Sequence, residues 1–403
     1  MSIYYDPIRE MNEFKNQISF PKKLGFLFGA GTSMALGMPG IFRLSESVIS
    51  KVSETQRELI NQIDEELISE GIAKPTIEHI LNKIRMIRQI TRDMESKSYV
   101  NINGNDAKEL DKDICDSIYS VLSEAEAHAV STAPDKLHTF ERFFSWYNKT
   151  SHEYCKEIFT FNYDMIFERS LENLMLPYFD GFVGAFEPFF CPESVERAIL
   201  REEMPQSWTK LWKLHGSLGW FWKNGTTSNS GKVVRLGVQS KKEHLSELVI
   251  YPSREKYDSS RKQPFVTYFD RLKSYLKEGE GILIISGYSF GDEHINDIIF
   301  EGLRKNNRLH IVALFYDNQE LIAIENEIRQ FLNISVYSPK HAIISGKRGE
   351  WKINPDAKEQ QKDEVSGYWD MEHDELIIGD FLKFVDFISG VRREVASTLG
   401  EKL

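Results

Sequence analysis

Four short apolar runs constrain the fold of this 403-residue chain more than any other feature of its sequence. They are LGFLFG (24–29), EIFTF (157–161), GILIIS (281–286) and LHIVALF (309–315), and turn-forming or polar residues follow them. Runs of this length that do not alternate with polar residues are typical of strands buried on both faces of a parallel sheet. Because helical patterns lie between them, the sequence predicts an α/β fold with a Rossmann-like, doubly wound parallel sheet.

A long helical segment separates the first two runs. Six apolar residues in this segment recur at helical spacing: Ile77, Ile80, Leu81, Ile84, Ile87 and Ile90. We therefore predict a large helical insertion at about 45–150, within a catalytic domain that covers 1–345. The chain turns polar after residue 345 and becomes apolar again in ELIIGDFLKFVDFISGV, which predicts a C-terminal extension (346–403) for docking or oligomer contacts.

Charge, cysteine content and hydropathy exclude several classes of protein. A formal charge of −11 argues against a protein that mainly wraps duplex DNA, so direct nucleic-acid binding is not expected. The three cysteines are far apart and form no CxxC pair, which argues against a zinc ribbon and favours a reducing compartment. No apolar run approaches the roughly 20 residues that span a bilayer, and the N-terminus lacks a signal-peptide core. We expect a cytoplasmic protein without membrane contacts.

The first apolar run ends at the turn GAGTS (29–33), which has several interpretations. Its glycines allow close backbone approach, and the amides of residues 30–33 could face a phosphate at a helix N-terminus. No Gly-Lys-Ser/Thr follows, which argues against a P-loop, and Met34 stands where GxGxxG has its third glycine. Taken alone, the turn is as compatible with a purely structural role as with a dinucleotide.

Polar residues also follow three other predicted strands. They are Asn162-Tyr163-Asp164, His215-Gly216-Ser217 after KLWKL, and the stretch from Gly287 to Asp292. Ligands of open parallel sheets bind beyond the carboxyl ends of the strands, so these residues are candidates for one site. Separately, each has an alternative: Asn162 and Asp164 could cap a helix, and His215 could be a core histidine.

These motifs resemble those of the sirtuin family, in the same order, over roughly residues 22–320. The similarity lies in GAGTS with its Gly-x-Pro loop and Phe-Arg pair, in TFNYD (160–164), in HGS (215–217) and in GYS (287–289). TFNYD, KLHGSLGW and SGYSFGDEHIND more closely resemble the zinc-less, sirtuin-like NAD hydrolases of bacterial antiphage defence systems.

The resemblance implies that NAD is the substrate and assigns roles to individual residues. Asn162 would lie against the nicotinamide ribose and position water, Asp164 would contact the carboxamide, and His215 would act as general base. Histidine suits that role because it titrates near neutral pH. The implied NAD-binding residues are Gly29, Ala30, Gly31, Thr32 and Ser33 at the pyrophosphate, Pro39, Phe42 and Arg43 in the loop, and Gly287, Tyr288, Ser289 and Asp317.

Departures from the sirtuin pattern favour water over a peptide as the acceptor. Residues 216–280 contain no cysteine, where deacylating sirtuins carry a zinc module, and the loop after Pro39 lacks the family's aspartate. We therefore expect an NAD glycohydrolase that needs no metal and that depletes cellular NAD in antiphage defence. The alternatives are an NAD-dependent protein deacylase or ADP-ribosyltransferase, and a non-catalytic NAD or ADP-ribose sensor.

Such an activity would be lethal if it were constant, so we expect a gate. The helical insertion or the C-terminal segment would occlude the site or form the oligomer contacts that open it. The resemblance also implies a homo-oligomer and a partner, either a separate ATPase of the hexameric translocase type or a nucleic-acid-guided protein, since this chain has no P-loop.

Overall fold

The computed structural model describes residues 3–19, 23–150, 156–200, 204–224, 231–236, 247–250 and 263–390. The first elements are β1 (Tyr4–Tyr5), α1 (Pro7–Ser19), β2 (Lys23–Phe28), α2 (Ala30–Leu36), α3 (Ile41–Lys51), α4 (Glu54–Ser69), α5 (Ile77–Thr91), β3 (Ser98–Tyr99), β4 (Ile102–Asn103), α6 (Gly104–Thr132) and α7 (Pro134–Lys149). Then follow β5 (Lys156–Thr160), α8 (Ile166–Asn173), β6 (Tyr178–Phe179), β7 (Phe182–Val183), β8 (Phe189–Phe190), α9 (Pro192–Leu200), β9 (Thr209–Lys213), β10 (Gly216–Asn224), β11 (Gly231–Arg235) and β12 (Glu247–Ile250). The last are α10 (Phe265–Lys277), β13 (Gly281–Ser286), α11 (Glu293–Lys305), β14 (Leu309–Leu314), α12 (Asn318–Ile328), β15 (Ile334–Tyr337), β16 (His341–Ile344), β17 (Lys347–Trp351), α13 (Pro355–Gln360), α14 (Lys362–Val365), β18 (Trp369–Asp370), β19 (Glu375–Leu376) and α15 (Phe381–Ser389).

Ten strands form the main sheet, in the order β1-β17-β16-β15-β14-β13-β2-β5-β9-β6. From β15 to β6 all neighbours pair in parallel. The chain places β5 and β9 on one side of β2 and then returns to place β13, β14 and β15 on the other side, so the strand order reverses at β2. The predicted α/β fold with a Rossmann-like parallel sheet is confirmed.

The central strands are apolar without alternation because both faces of the sheet are covered. In β2, Phe26 and Phe28 lie in one core cluster and Leu27 lies in the other. Strand β13 repeats the pattern, with Ile284 in the first cluster and Ile285 in the second. Full burial of such a side chain contributes about 1.5–3 kcal/mol, so this arrangement fixes the register of the central strands.

Helices α3–α7 form a helical region, residues 41–149, between α2 and β5, interrupted by the short antiparallel pair β3 and β4. The apolar side of α5 is buried as its spacing predicts, except that Ile90 at its C-terminal end is about half exposed. Helix α6, of 29 residues, packs against α3 and α5. The region therefore has its own apolar contacts in addition to those with the sheet.

The chain after residue 345 begins inside the main sheet. Strands β16 and β17 form an antiparallel hairpin whose turn contains Ser345 and Gly346, and β17 also pairs with β1. The predicted domain boundary thus falls in this turn. Further along, α15 packs on α7, with the ring of Phe381 4.7 Å from that of Phe140. Residues 391–403 of the predicted extension lie outside the described residues.

Candidate active site

Four adjacent strands of the main sheet end in the same row, at the point where the strand order reverses. The register aligns Ser286 of β13, Phe28 of β2, Thr160 of β5 and Lys213 of β9. Because the strands are parallel, the residues that follow them meet at one edge of the sheet. The structure therefore brings together three polar motifs and the GAGTS turn. Gly29 and Gly287, which belong to two of these segments, are 258 residues apart in the sequence.

The GAGTS turn packs directly on the backbone of Gly287. Gly29 N–H donates to Ser286 O at 3.0 Å, and Gly31 N–H donates to Gly287 O at 2.9 Å. Gly287 has a φ of +67°, and a Cβ there would clash with the amide of Thr32. A Cβ on Gly31 would in turn lie 2.7 Å from Gly287 Cα. These glycines are needed for contact between the two turns, whatever they bind.

The same contact uses some of the amides that the resemblance assigns to the pyrophosphate. Gly31 N–H is committed to Gly287 O, and Thr32 N–H donates to Gly29 O at 3.1 Å. Ala30, at the first position of α2, is exposed, and its N-cap Gly29 has no side chain to occupy the helix terminus. That terminus carries partial positive charge and suits an anion, but the pyrophosphate contacts stay a prediction.

A buried hydrogen-bond network joins α2 to the segment after β5. Asn162 Nδ2 donates to Thr32 Oγ1 at 3.0 Å and to Ser33 Oγ at 2.7 Å. Ser33 Oγ donates to Asp164 Oδ2 at 2.7 Å. With both N–H bonds of its amide committed, the side chain of Asn162 offers an acceptor, Oδ1, and no further donor. The network thus fixes one acceptor at the edge of the sheet.

Asp164 is bonded through both of its carboxylate oxygens. Oδ1 accepts from Ile166 N–H at 3.2 Å, at the start of α8, while Oδ2 accepts from Ser33. Its backbone carbonyl accepts from the buried Lys213 Nζ, which also pairs with Glu168 at 2.9 Å. Burial raises the pKa of Glu168, although Lys213 acts in the opposite direction. Asp164 therefore anchors the segment, and its expected contact with nicotinamide stays a prediction.

His215 lies on the other side of the network, among aromatic rings and beside a carboxylate. Its ring is 4.8 Å from that of Phe161, and its Nε2 lies 3.6 Å from Asp292 Oδ2. Asp292 also caps α11 by accepting from His294 N–H and Ile295 N–H. Burial tends to raise the pKa of Asp292, but the neighbouring His215 and the two amides lower it overall. A carboxylate that is ionised at neutral pH thus faces the histidine.

Of the remaining predicted residues, one is buried beside His215 and Phe161, and most of the others are exposed. Tyr288 is buried, with its ring 4.9 Å from that of Phe161, and its hydroxyl donates to Asn296 Oδ1 at 2.9 Å. The exposed residues lie at three places. Ser289 follows Tyr288, Phe42 and Arg43 are on the first turn of α3, and Asp317 is the N-cap of α12. Pro39 is half-buried in the loop before α3. Their contacts with NAD stay predictions.

Sequence reasoning missed Lys213 and Glu168, and it named Asp292 only as the last residue of the candidate stretch from Gly287, without a role. Asp292 had a usable signal, since an aspartate directly before a helical pattern is a common N-cap. Lys213 gave no such signal, because a lysine at the end of a strand is ordinarily exposed. Within the described residues, no group of three or more His, Cys, Asp or Glu side chains is arranged to hold a metal ion. The described helices include none that is both long and apolar enough to cross a bilayer.

Comparison with known families agrees with this part of the chain. Residues 156–337 match the family model described as the SIR2-like domain, which is NAD-related. The matched range holds β5, β9 and β13 with Asn162, His215 and Asp292, and it begins after the GAGTS turn and the helical region. No curated protein matches the chain significantly. The sirtuin-like resemblance is confirmed for this range.

Proposed function

Because residues 156–337 are a SIR2-like domain, which points to an NAD-utilising enzyme, we propose that this protein hydrolyses NAD to nicotinamide and ADP-ribose. The observation that carries the proposal is the orientation of Asn162, whose two amide hydrogens are held by Thr32 and Ser33. Hydrolysis needs an acceptor that orients water, and Asn162 Oδ1 is a fixed acceptor of this kind.

The reaction breaks the bond between nicotinamide N1 and ribose C1′. Nicotinamide leaves with the bonding electrons as a neutral molecule, and positive, oxocarbenium-like charge develops on the ribose. Water, oriented by Asn162 Oδ1, forms the new bond at C1′ and gives its proton to His215. The proton then passes to solvent, so NAD and water yield nicotinamide, ADP-ribose and one proton.

Asp292 assists this proton transfer electrostatically. As His215 accepts the proton it becomes positively charged, and the ionised carboxylate 3.6 Å from Nε2 stabilises that charge. The rings around His215 limit water near the pair, which strengthens the attraction. We assign Asp292 the role of a positioning residue that acts through His215.

Burial of the proposed groups favours water over a peptide as the acceptor. Asn162 and Asp164 are each 7% exposed, and His215 is 8% exposed. A water molecule can reach such groups with little rearrangement, whereas an acyl-lysine peptide needs an open channel. The same burial supports a gated enzyme, and we propose NAD depletion in antiphage defence, triggered by a partner, as its biological role.

The proposal is tested by quantifying nicotinamide and ADP-ribose after incubation of the purified protein with NAD. We expect equimolar products, with release reduced about 10²–10⁴-fold in His215→Ala and in Asn162→Ala. The matched controls are His138→Ala and Asn173→Ala, which remove exposed side chains of the same types. Transfer of label from NAD to protein, or acetyl release from a peptide, would instead favour the transferase or deacylase. NAD binding without turnover under every condition would favour the sensor.

A further inference from the structure

We propose that the helical region positions the proposed active site through two carboxylates, Glu78 and Glu126, which hold the segment between β5 and α8. We call this segment, residues 161–165, the Asn162 loop. The inference rests on the proposed function for its kinetic consequence, but its structural content can be tested separately. Both carboxylates lie outside the SIR2-like match, which covers residues 156–337.

Glu126 holds the C-terminal end of the Asn162 loop. It lies on α6 and is 2% exposed. Its Oε2 accepts from Met165 N–H at 2.9 Å, and its Oε1 accepts from Arg169 Nη2 at 3.3 Å. Met165 is the N-cap of α8 and makes no capping bond with its own side chain. A carboxylate from a distant helix therefore occupies the positive end of α8, where negative charge is favourable.

Glu78 holds the middle of the Asn162 loop. It lies in the first turn of α5, and its Oε1 accepts from the hydroxyl of Tyr163 at 2.7 Å. Burial, together with the charge of Glu78, raises the pKa of Tyr163 well above its ordinary value. The hydroxyl therefore remains a donor at every physiological pH. Since Tyr163 lies between Asn162 and Asp164, this bond fixes the backbone that carries both.

Charges near Glu126 act on it in both directions. Burial raises the pKa of Glu126, and the nearby Asp164 raises it further by repulsion. Met165 N–H, Arg169 and Lys213 face the same carboxyl and lower its pKa. The attraction to Arg169 and the repulsion from Asp164 oppose each other, so the main contribution to the loop is the acceptor that Glu126 gives to Met165 N–H. Glutamine keeps one acceptor oxygen for this bond and loses both the repulsion and the attraction.

The two bonds connect the helical region to the chemistry. Movement of α5 or α6 relative to the sheet would shift Tyr163 or Met165, and hence the Oδ1 of Asn162. A misplacement of about 1 Å at a reacting group is enough to lower turnover about 100-fold. The helical region is thus a route by which an event outside the SIR2-like domain can change the rate.

The test compares Glu126→Ala, Glu126→Gln and the matched control Glu124→Ala, an exposed position on the same helix that pairs with Lys51. We measure kcat and KM for NAD, and the amide hydrogen exchange of a peptide covering residues 161–166. In Glu126→Ala we expect kcat to fall at least tenfold with KM changed less than about threefold, and faster exchange in the peptide. Glu126→Gln should restore most of both, and Glu124→Ala should resemble the unmodified protein.

Wild-type kcat together with wild-type exchange in Glu126→Ala would overturn the proposal, and so would a Glu126→Gln variant as impaired as Glu126→Ala. If Glu126→Ala does not fold, Tyr163→Phe removes the bond to Glu78 without a cavity, and unchanged exchange in that variant would contradict the proposal. If the unmodified protein does not hydrolyse NAD, the proposed function fails, while the exchange data still decide whether these carboxylates hold the loop.

Discussion

The half of the site that carries Asn162 is held by hydrogen bonds among buried polar side chains, whereas the half that carries His215 is held by contacts with aromatic rings and with the carboxylate of Asp292. In the first half, Ser33, Asn162 and Asp164 bond to one another. In the second, His215 lies against Phe161 and faces Asp292. The first arrangement fixes atoms through several hydrogen bonds, and the second places a histidine between an aromatic ring and a carboxylate.

This difference indicates a division of labour between the two halves. A network with several bonds per group resists displacement, which suits a residue that must orient water. The proposed role of His215 instead requires it to take up a proton, and Asp292 lies where its negative charge favours that step.

The largest effect on stability is expected where the two halves touch, in Gly287→Ala. A side chain there must adopt a left-handed backbone and also clash with the amide of Thr32. The strain alone costs about 1–2 kcal/mol, and we expect the clash to raise the total to about 3 kcal/mol or more. Urea unfolding measures this loss.

Gly37→Ala is the matched control for that substitution. Gly37 has a φ of +109°, but a Cβ there has nothing within 4 Å. Gly37→Ala should therefore reduce the free energy of unfolding only by the cost of the backbone strain. Equal losses in the two variants would contradict the close contact between the turns.

Within the Asn162 half, Ser33→Ala should reduce the free energy of unfolding by about 1–3 kcal/mol. The substitution removes a donor to Asp164 and an acceptor for Asn162, both of which are buried. Ser289→Ala, on the other half, removes an exposed hydroxyl and should leave stability within about 0.5 kcal/mol. A Ser33 variant as stable as the Ser289 variant would mean that the network does not hold the loop.

Within the His215 half, Asp292→Asn should lower kcat by about tenfold, equivalent to roughly 1.4 kcal/mol of transition-state stabilisation. Asparagine is as good an N-cap as aspartate, so α11 should remain intact. Asp380→Asn, at the N-cap of α15, is the control for a cap that faces no histidine. An unchanged kcat in Asp292→Asn would mean that Asp292 does not assist the proton transfer to His215.

The same variant has a defined dependence of stability on pH. The pKa of Asp292 is lower in the folded protein than its ordinary value of 3.8. Its contribution to stability is therefore complete above about pH 4 and is lost as the pH falls through the lower, folded value. The stability difference between the unmodified protein and Asp292→Asn should shrink as the pH falls below about pH 4. A difference that grows below pH 4 would reverse the assigned direction.

The comparison of halves also explains how much the sequence could predict. The strands were predictable because burial on both faces leaves a local apolar signal. Since β5 and β9 end at the same level of the sheet, Asn162 and His215, which follow them, lie at the same edge as expected. The glycines of GAGTS were predictable as a close approach, but not as an approach to Gly287. That contact joins residues more than 250 positions apart, and no local pattern records it.

Glu78 and Glu126 could not be found from the sequence for a physical reason. Each is a glutamate within a helical pattern, where an exposed position is the ordinary expectation, and its burial follows only from how α5 and α6 dock against the loop after β5. The hairpin of β16 and β17, which crosses the expected domain boundary at residue 345, could not be predicted for a similar reason. Its two strands are recognisable as a pair only once the sheet is formed.

The central claim is that Asn162 and His215 together hydrolyse NAD, and the most direct measurement is turnover and NAD affinity in the unmodified protein, Asn162→Ala and His215→Ala. The account predicts nicotinamide and ADP-ribose in equal amounts from the unmodified protein. It also predicts that both folded variants still bind NAD but lose turnover by at least about 100-fold. Unchanged turnover in either folded variant would contradict the account.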